Sequence, residues 1–453
     1  MIEPGLRAEL EAVCGPDHVL DAADPYDHDA TLTRGLRATP DAVVRPADTA
    51  QVAAALRACH AAGTPIVPRG GGTGLAGGAV ALGGGVVLSL ERLNRVRSFD
   101  PLLWRMEVEA GVTTGDVQRL ARENGLYFPP DPGAPEQSQI GGNVATNAGG
   151  PHAFKYGNTG QWVTGIEAVL PPGDVVRFGG PYRKDVSGYD LTHLLVGSEG
   201  TLGVITAVQL RLVPRPEVRL PVVALYAEDR AGADAIQRVV GSGILPAALD
   251  YLDAATMAAA GPSMPVPDAT GKFAVVAELD GSAAEVERVR TELLEALAPG
   301  ASGVHTPDAT ALWRWREGIS LAVESVRGGK LSEDIVVPLE HLADAIADIL
   351  AIGERHGLPA CSWGHAGDGN LHATFMIDHR DPDEVERAEA AAVDLFELAG
   401  RHGGSISGEH GIGLLKRDHV AARWSAAELE AQRAIKRVFD PQNLMNPGKK
   451  IVV

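Results

Sequence analysis

Trp363-Gly364-His365-Ala366-Gly367-Asp368-Gly369-Asn370-Leu371-His372-Ala373-Thr374-Phe375 sets two imidazoles around a Gly-Asp-Gly-Asn segment. On one straight strand the odd spacing of His365 and His372 would send them to opposite faces. If Gly367 to Asn370 makes a hairpin turn, the two become neighbours across its arms and their rings can converge. Further on, Ser407-Gly408-Glu409-His410-Gly411-Ile412-Gly413 adds a carboxylate and a third imidazole on a turn. Two histidines and a carboxylate with open positions make a workable ligand set for zinc, and equally for iron or manganese. Cys361 could add a thiolate by spacing, although a buried packing thiol is the simpler reading. A single histidine is more often a hydrogen-bonded side chain than a ligand, and it is the constellation within two glycine frames that points to a metal.

A second chemistry lies near the start. Pro68-Arg69-Gly70-Gly71-Gly72-Thr73-Gly74-Leu75-Ala76-Gly77-Gly78 follows the apolar Pro65-Ile66-Val67. Glycine adopts left-handed conformations without steric penalty and leaves amide N–H groups uncovered, so such a run after a strand can cradle phosphate oxygens. Gly72 to Gly77 also fits the G-x-G-x-x-G dinucleotide fingerprint, with Glu91 about where the ribose acid would stand. That fingerprint must open a helix, whereas Val86-Val87-Leu88-Ser89-Leu90 reads as a strand, so a Rossmann fold is not expected.

The elements that must position these groups alternate from Ala42 onward. Val43-Val44 reads as a strand, Thr49 to Ala62 as a helix capped by Thr49, Ile66-Val67 and Val86 to Leu90 as strands. Trp104 to Ala110 is a further strand, and Thr114 to Asn124 a helix ending at Gly125. Two more glycine segments follow, Ser138 to Gly150 and Gly197 to Thr206, the latter leading into a strand over Ala207 to Leu212. Pro214-Arg215-Pro216 marks a boundary, since closely spaced prolines stop both ladders and helices. Beyond it, helices over Ala283 to Leu297 and Leu339 to His356 alternate with strands at Val222 to Tyr226, Phe273 to Leu279 and Ile335 to Val337, which predicts an α+β domain with an antiparallel sheet. A helix over Ala426 to Phe439 and a tail complete the pattern. Between them Leu312 to Ser320 reads as one helix, with Arg316 and Ser320 a turn apart on the same side; a guanidinium there suits bidentate capture of a carboxylate.

With 453 residues, 45% of them hydrophobic, the chain has material for two cores. Forty basic against fifty-nine acidic side chains give a net charge of -19, which disfavours nucleic acid and anionic membrane as partners. No apolar run long enough to span a membrane is present and Met1 to Leu20 lacks a signal-peptide core, so a cytoplasmic location is expected, with any membrane association through a partner. Cys14, Cys59 and Cys361 are odd in number and dispersed, which fits a reducing compartment and excludes an iron–sulfur cluster.

Taken in order, the three glycine segments and the two histidine segments resemble the flavoproteins of the vanillyl-alcohol oxidase and p-cresol methylhydroxylase type, and within them the D-2-hydroxyacid dehydrogenases and oxidases. The likeness runs from about Val43 to the C-terminus. It implies a two-part FAD-binding domain over 1–215, an α+β substrate (cap) domain with an antiparallel sheet over 216–405, and a C-terminal helical segment over 406–453 packing back on the first. Noncovalent FAD is implied, since no histidine lies between Thr64 and Val80. Its implied ligands are Arg69, Gly70, Gly71, Gly72, Thr73, Gly74, Ser138, Gly142, Asn143, Asn147, Glu199 and Ile205. The matching positions in such enzymes hold a divalent metal on His365, His372 and Glu409, use His410 as the base, and place Arg316, Ser320 and Lys330 at the substrate. Lys330 departs from the spacing expected for the hydroxyglutarate enzymes, and a salt-bridge role is an equal reading for it.

The resemblance therefore implies oxidation of a D-2-hydroxyacid, D-lactate or glycolate, with a hydroxyglutarate-type dicarboxylate as the alternative. Electrons would pass to oxygen, a quinone, a carrier protein or a companion subunit, and a homodimer or hetero-oligomer is compatible with this. From other classes, a zinc hydrolase using the same three ligands predicts a colourless protein, and a noncatalytic flavin-binding subunit predicts a flavin that no hydroxyacid bleaches.

Overall fold

The computed structural model describes residues 1–21, 24–260 and 263–452. The chain divides into two units: Met1–Gly149 with Asn158–Arg215 and Glu409–Val453, and Gly150–Gly157 with Pro216–Gly408.

In the first unit the valine-rich segments form a small sheet in which Val86–Ser89 lies between Ala42–Val44 and Ile66–Arg69, parallel to both, while Val19–Leu20 adds an antiparallel edge. Ala42–Val44 and Val86–Ser89 are buried throughout, as parallel strands covered on both faces must be. The helix Thr49–Ala61 sets Val52 and Leu56 against Val44, Ile66 and Leu88. Its cap is Asp48, whose carboxylate accepts from the Gln51 amide at 2.9 Å, and not Thr49. Thr49 Oγ1 donates instead to Glu167 at 2.6 Å. After the first glycine run the chain forms bends and turns and enters Val86–Ser89 without a helix, so the Rossmann reading is excluded by the structure.

A five-stranded antiparallel sheet follows in the same unit, in the order Val96–Asp100, Arg105–Glu109, Val204–Arg211, Val163–Leu170, Asp174–Gly179. Glu167 on this sheet is almost buried. Burial opposes its ionisation, but hydrogen bonds from Thr49, Arg177 and Arg97 hold its carboxyl down to about 2. The helix Thr114–Glu123 is capped by Thr113. The tail returns to the unit: after the helix Ala426–Phe439, with its Ser425–Glu428 capping box, Met445 pairs alongside Ile66. Asn446 donates its amide to the Ile66 carbonyl at 2.7 Å and its side chain to the carbonyls of Gly78 and Glu199 at 3.0 and 2.7 Å.

The second unit is built on a seven-stranded, wholly antiparallel sheet in the order Ala301–His305, Val218–Tyr226, Phe273–Gly281, Ala248–Leu252, Ala360–His365, Asn370–Ile377, Gly329–Val336. Helices Asp229–Gly241, Ala283–Leu297, Leu342–His356 and Pro382–Arg401 pack against it. An apolar cluster on Val223, Leu252, Ala274, Val276, Cys361 and Trp363 takes Leu312, Ile319 and Val323. Those three come from two helices, Ala309–Glu317 and Ile319–Ser325, because the segment read as one helix breaks at Gly318.

Two boundaries differ from the sequence reading for local reasons. Gly150–Gly157 belongs to the second unit: His152 Nε2 lies 3.0 Å from Glu278 Oε1, and Tyr156 donates to Asp280 at 2.6 Å. Residues 406–408 also belong there, since Ser405 and Val336 exchange backbone hydrogen bonds and the Gly408 amide donates to Asp334 Oδ2 at 2.6 Å. Among the described residues no helix is long and apolar enough to cross a membrane.

Candidate active site

The hairpin exists. Ala360–His365 and Asn370–Ile377 pair antiparallel, with Trp363 opposite His372 and His365 opposite Asn370. The turn sits at Ala366–Asp368 and closes on Gly369, whose φ of 66° and approach to the Val337 carbonyl exclude a side chain. It brings the His365 and His372 rings to a centroid distance of 5.4 Å, edge to face. Asp334, opposite His372 on the next strand, accepts from the amide of Gly408, the residue before Glu409. One ligand atom from each of His365, His372 and Glu409 lies within 4.8 Å of the others. The donor set is two imidazoles and a carboxylate, both histidines buried, which fits zinc and also iron or manganese. Cys361 stands apart from this group, packed in the apolar cluster, where burial pushes its thiol up. His410, next to Glu409, is half-buried.

Sequence reasoning missed Asp250, which lies in the strand Ala248–Leu252 and is fully buried. Its Oδ1 is 2.8 Å from His365 Nδ1, and its Oδ2 accepts from Arg316 Nε at 2.9 Å and pairs with Arg316 Nη2 at 2.8 Å. Burial opposes ionisation of Asp250, but the His365 and Arg316 charges outweigh it and hold its carboxyl below the ordinary range. A carboxylate on Nδ1 selects the tautomer that presents Nε2 to an ion, the arrangement typical of metal-bound histidine.

Of the three residues expected at the substrate, Ser320 and Lys330 touch one another, and Arg316 stands on the preceding helix. Arg316 is buried with its Nε side on Asp250, which leaves the Nη1 side of the guanidinium for another anion. Ser320 is exposed and lies beyond the break at Gly318, so it is not a turn away on the same helix face. Lys330 directs its ammonium to the Ser320 carbonyl and hydroxyl, both at 2.6 Å, and to Glu324 at 3.1 Å. Those three acceptors match its three donors.

The three glycine segments meet within the first unit. A Cβ on Gly70 would lie 3.5 Å from Gly142 Cα, and one on Gly71 would lie 2.0 Å from the Gln137 carbonyl oxygen. Gly72 has a φ of 71°, and Thr73 is half-buried beside it. Gly74 accepts from the Ala30 amide at 3.1 Å. Contrary to the expectation of a plain glycine loop, Ile140–Thr146 is a short helix, ended by Asn147 in the left-handed region. Gly142 on it faces open space within 4 Å. Several polar side chains named from the resemblance hold the loops to one another. Arg69 donates to the carbonyls of Pro25 and His28. Ser138 and Asn143 both bond Thr114, Asn147 accepts from Gly160, and Glu199 accepts from Ile412 and Gly413 at 3.0 and 2.7 Å. Ile205 is buried in the strand Val204–Arg211. The arrangement fits a phosphate-bearing cofactor: a bare backbone surface at Gly70 and Gly142, and beside it the buried Gln139 Oε1 with no partner of its own.

The fold and the site thus define a glycine-lined cradle in the first unit and a cluster of potential metal ligands at His365, His372 and Glu409. Comparison with known proteins gives the class. Residues 40–179 match the family described as FAD binding domain, and residues 215–450 match FAD linked oxidases, C-terminal domain. The chain is 38% identical to the glycolate oxidase subunit GlcD of Bacillus subtilis (strain 168), over 99% of this chain and 97% of that protein. It is 33% identical to a D-lactate dehydrogenase of Anaerostipes hadrus, over 94% of this chain and 92% of that one. A crystal structure of p-cresol methylhydroxylase with substrate bound has the same fold, with a TM-score of 0.80 at 20% identity, covering 100% of this chain and 98% of its own. The chain belongs to the FAD-linked oxidase family and is an FAD-dependent oxidoreductase with a two-domain α+β architecture.

Proposed function

We propose that the protein oxidises the CH–OH group of a D-2-hydroxyacid, D-lactate or glycolate, to the 2-oxoacid. The observation that carries this reading is the convergence of His365, His372 and Glu409, with Asp250 holding His365 on one side and Arg316 on the other. Bound FAD supplies a two-electron acceptor for the substrate's α-hydrogen, and a divalent ion, zinc by preference, held by His365, His372 and Glu409 supplies a Lewis acid for its hydroxyl. Arg316 holds the substrate carboxylate through the Nη1 side of its guanidinium. His410 accepts the hydroxyl proton. Gly70, Gly71, Gly72, Gly74 and Gly142 hold the cofactor through backbone, and Ser138, Asn143, Asn147, Glu199 and Arg69 fix the loops that carry it. The engagement of Lys330 by Ser320 and Glu324 supports a monocarboxylate over a hydroxyglutarate-type dicarboxylate, whose second carboxylate needs a second cation. The flavin cradle argues against a zinc hydrolase. The three cysteines are buried and unpaired, so onward transfer goes to oxygen, a quinone, a carrier protein or a companion subunit.

The test is the anaerobic visible spectrum of the flavin-loaded protein before and after D-lactate, glycolate and D-2-hydroxyglutarate in turn. Bleaching by one of the first two is expected. A flavin bleached only by hydroxyglutarate overturns the monocarboxylate assignment, and one bleached by none favours the noncatalytic subunit. His410→Ala is expected to keep its flavin and lose about 100-fold to 10,000-fold in the rate of bleaching; a near-parental rate removes His410 as the base.

A further inference from the structure

One fully buried carboxylate of the second unit is announced by no sequence motif. Asp250 is fully buried and divides its two oxygens between two groups of different use: Oδ1 to His365 Nδ1 at 2.8 Å, Oδ2 to Arg316 Nε at 2.9 Å. Both partners are themselves buried.

We infer that Asp250 is a shared positioning residue, one oxygen fixing the tautomer and aim of His365 toward a metal ion and the other fixing the guanidinium of Arg316 toward a substrate carboxylate. This rests on the reading of His365 as a metal ligand and Arg316 as a carboxylate ligand given above.

His365 presents Nε2 to an ion only when Nδ1 carries the proton, and Nδ1–H then needs an acceptor. Arg316 offers donors only. An ionised carboxylate accepts on both oxygens and satisfies both partners at once. Its isostere asparagine cannot. If its carbonyl faces Arg316, its NH₂ faces His365, which must then accept on Nδ1 and place its proton on Nε2, where a metal would bind. If it turns over, NH₂ meets the guanidinium donor to donor. The position therefore requires a carboxylate for a reason separate from packing volume, and one substitution is felt at both the metal and the substrate.

The experiment is a chelator-competition titration of Zn²⁺ into flavin-loaded parent and Asp250→Asn protein, without substrate, followed by steady-state kinetics at saturating Zn²⁺. Outer hydrogen-bond partners of metal-bound histidines contribute about 10-fold to 100-fold in affinity, and a weakening of that size is expected in Asp250→Asn. At saturating Zn²⁺, kcat is expected to recover toward the parent while KM for the hydroxyacid stays raised by about tenfold, since excess metal restores His365 occupancy but not the aim of Arg316. A merely structural role would not split the two constants in that way. Unchanged Zn²⁺ affinity in a folded, flavin-loaded Asp250→Asn protein overturns the inference and leaves the metal-site reading standing. A parent that binds no Zn²⁺, Fe²⁺ or Mn²⁺ overturns both. Should the buried guanidinium left by Asp250→Asn prevent folding, the double substitution Asp250→Ala with Arg316→Met removes the pair together, a change that is often neutral for stability. His365 then still lacks its acceptor, so Zn²⁺ affinity must fall by about tenfold or more, and parental affinity overturns the inference.

Discussion

The two units solve their chemical problems with different parts of the polypeptide. In the first, the proposed cofactor surface is backbone: Gly70, Gly71 and Gly142 lack side chains where loops meet, and the polar side chains around them tie loop to loop. In the second, the proposed working surface is made of side chains, His365 and Arg316, held by the buried carboxylate of Asp250. A backbone site tolerates side-chain exchange around it but no added atom within it. A side-chain site tolerates changes of bulk poorly and changes of hydrogen-bonding character hardly at all. The lesson is that glycine substitutions should disable the flavin site while sparing the metal site, and isosteric polar substitutions such as Asp250→Asn should do the reverse.

The strongest test of that contrast is Gly71→Ala. Its Cβ would lie 2.0 Å from the Gln137 carbonyl oxygen, which is backbone and cannot swing away. Strain of about 1–3 kcal/mol or more, placed in the cradle, should lower the purified flavin-to-protein ratio by about tenfold, with Zn²⁺ affinity unchanged. Equal loss of both ligands would mean that the two centres are not separately built. Gly142→Ala sharpens the comparison because its two effects should have opposite signs. The position is helical and open, so alanine should stabilise the apoprotein by about 0.5–1 kcal/mol, read as a rise in Tm. The same methyl group would enter the space left for the cofactor and raise the Kd for FAD, measured by flavin fluorescence quenching. If FAD binds Gly142→Ala as tightly as the parent, the cofactor does not lie over this helix.

The smallest effect concerns acid. Glu167 in the first unit has its pKa lowered from 4.5 to about 2. A depressed folded value contributes stability that is complete above about 4.5 and is lost as pH falls toward 2. Glu167→Gln should therefore narrow the difference in Tm between pH 6 and pH 3; an identical acid dependence in parent and variant would assign acid sensitivity elsewhere.

What could be read from sequence follows the same division. Glycine runs and helix caps are local signals, so the cradle segments, Ala283–Leu297 and Ala426–Phe439 are legible residue by residue. The helix Ile140–Thr146 is not, because two glycines and an asparagine in seven residues argue against helix; it forms because Ile140 and Val144 are buried and Gly141 is pressed against Ala110. The hairpin that joins His365 to His372 is legible from Gly-Asp-Gly-Asn. Asp250 is not, since a lone aspartate in a short apolar strand has no spacing to betray it, and its partners are 66 and 115 residues away. The helix Pro382–Arg401 carried a signal that was available, Asp381 as cap with Pro382 at its first position, and the break at Gly318 was marked by the glycine itself.

The closing of the first unit by Met445 and Asn446 has a bearing on biosynthesis. The strand Ile66–Arg69, made early on the ribosome, receives its neighbour at Ile66 only when residue 446 has emerged, after the whole of the second unit has been synthesised. Domains otherwise tend to fold in the order they are made. Here the later-made unit is complete in sequence first, and the earlier-made one waits, with the Gly78 and Glu199 carbonyls lacking the Asn446 amide. A nascent chain arrested before residue 440 should therefore expose that waiting sheet to chaperones and proteases.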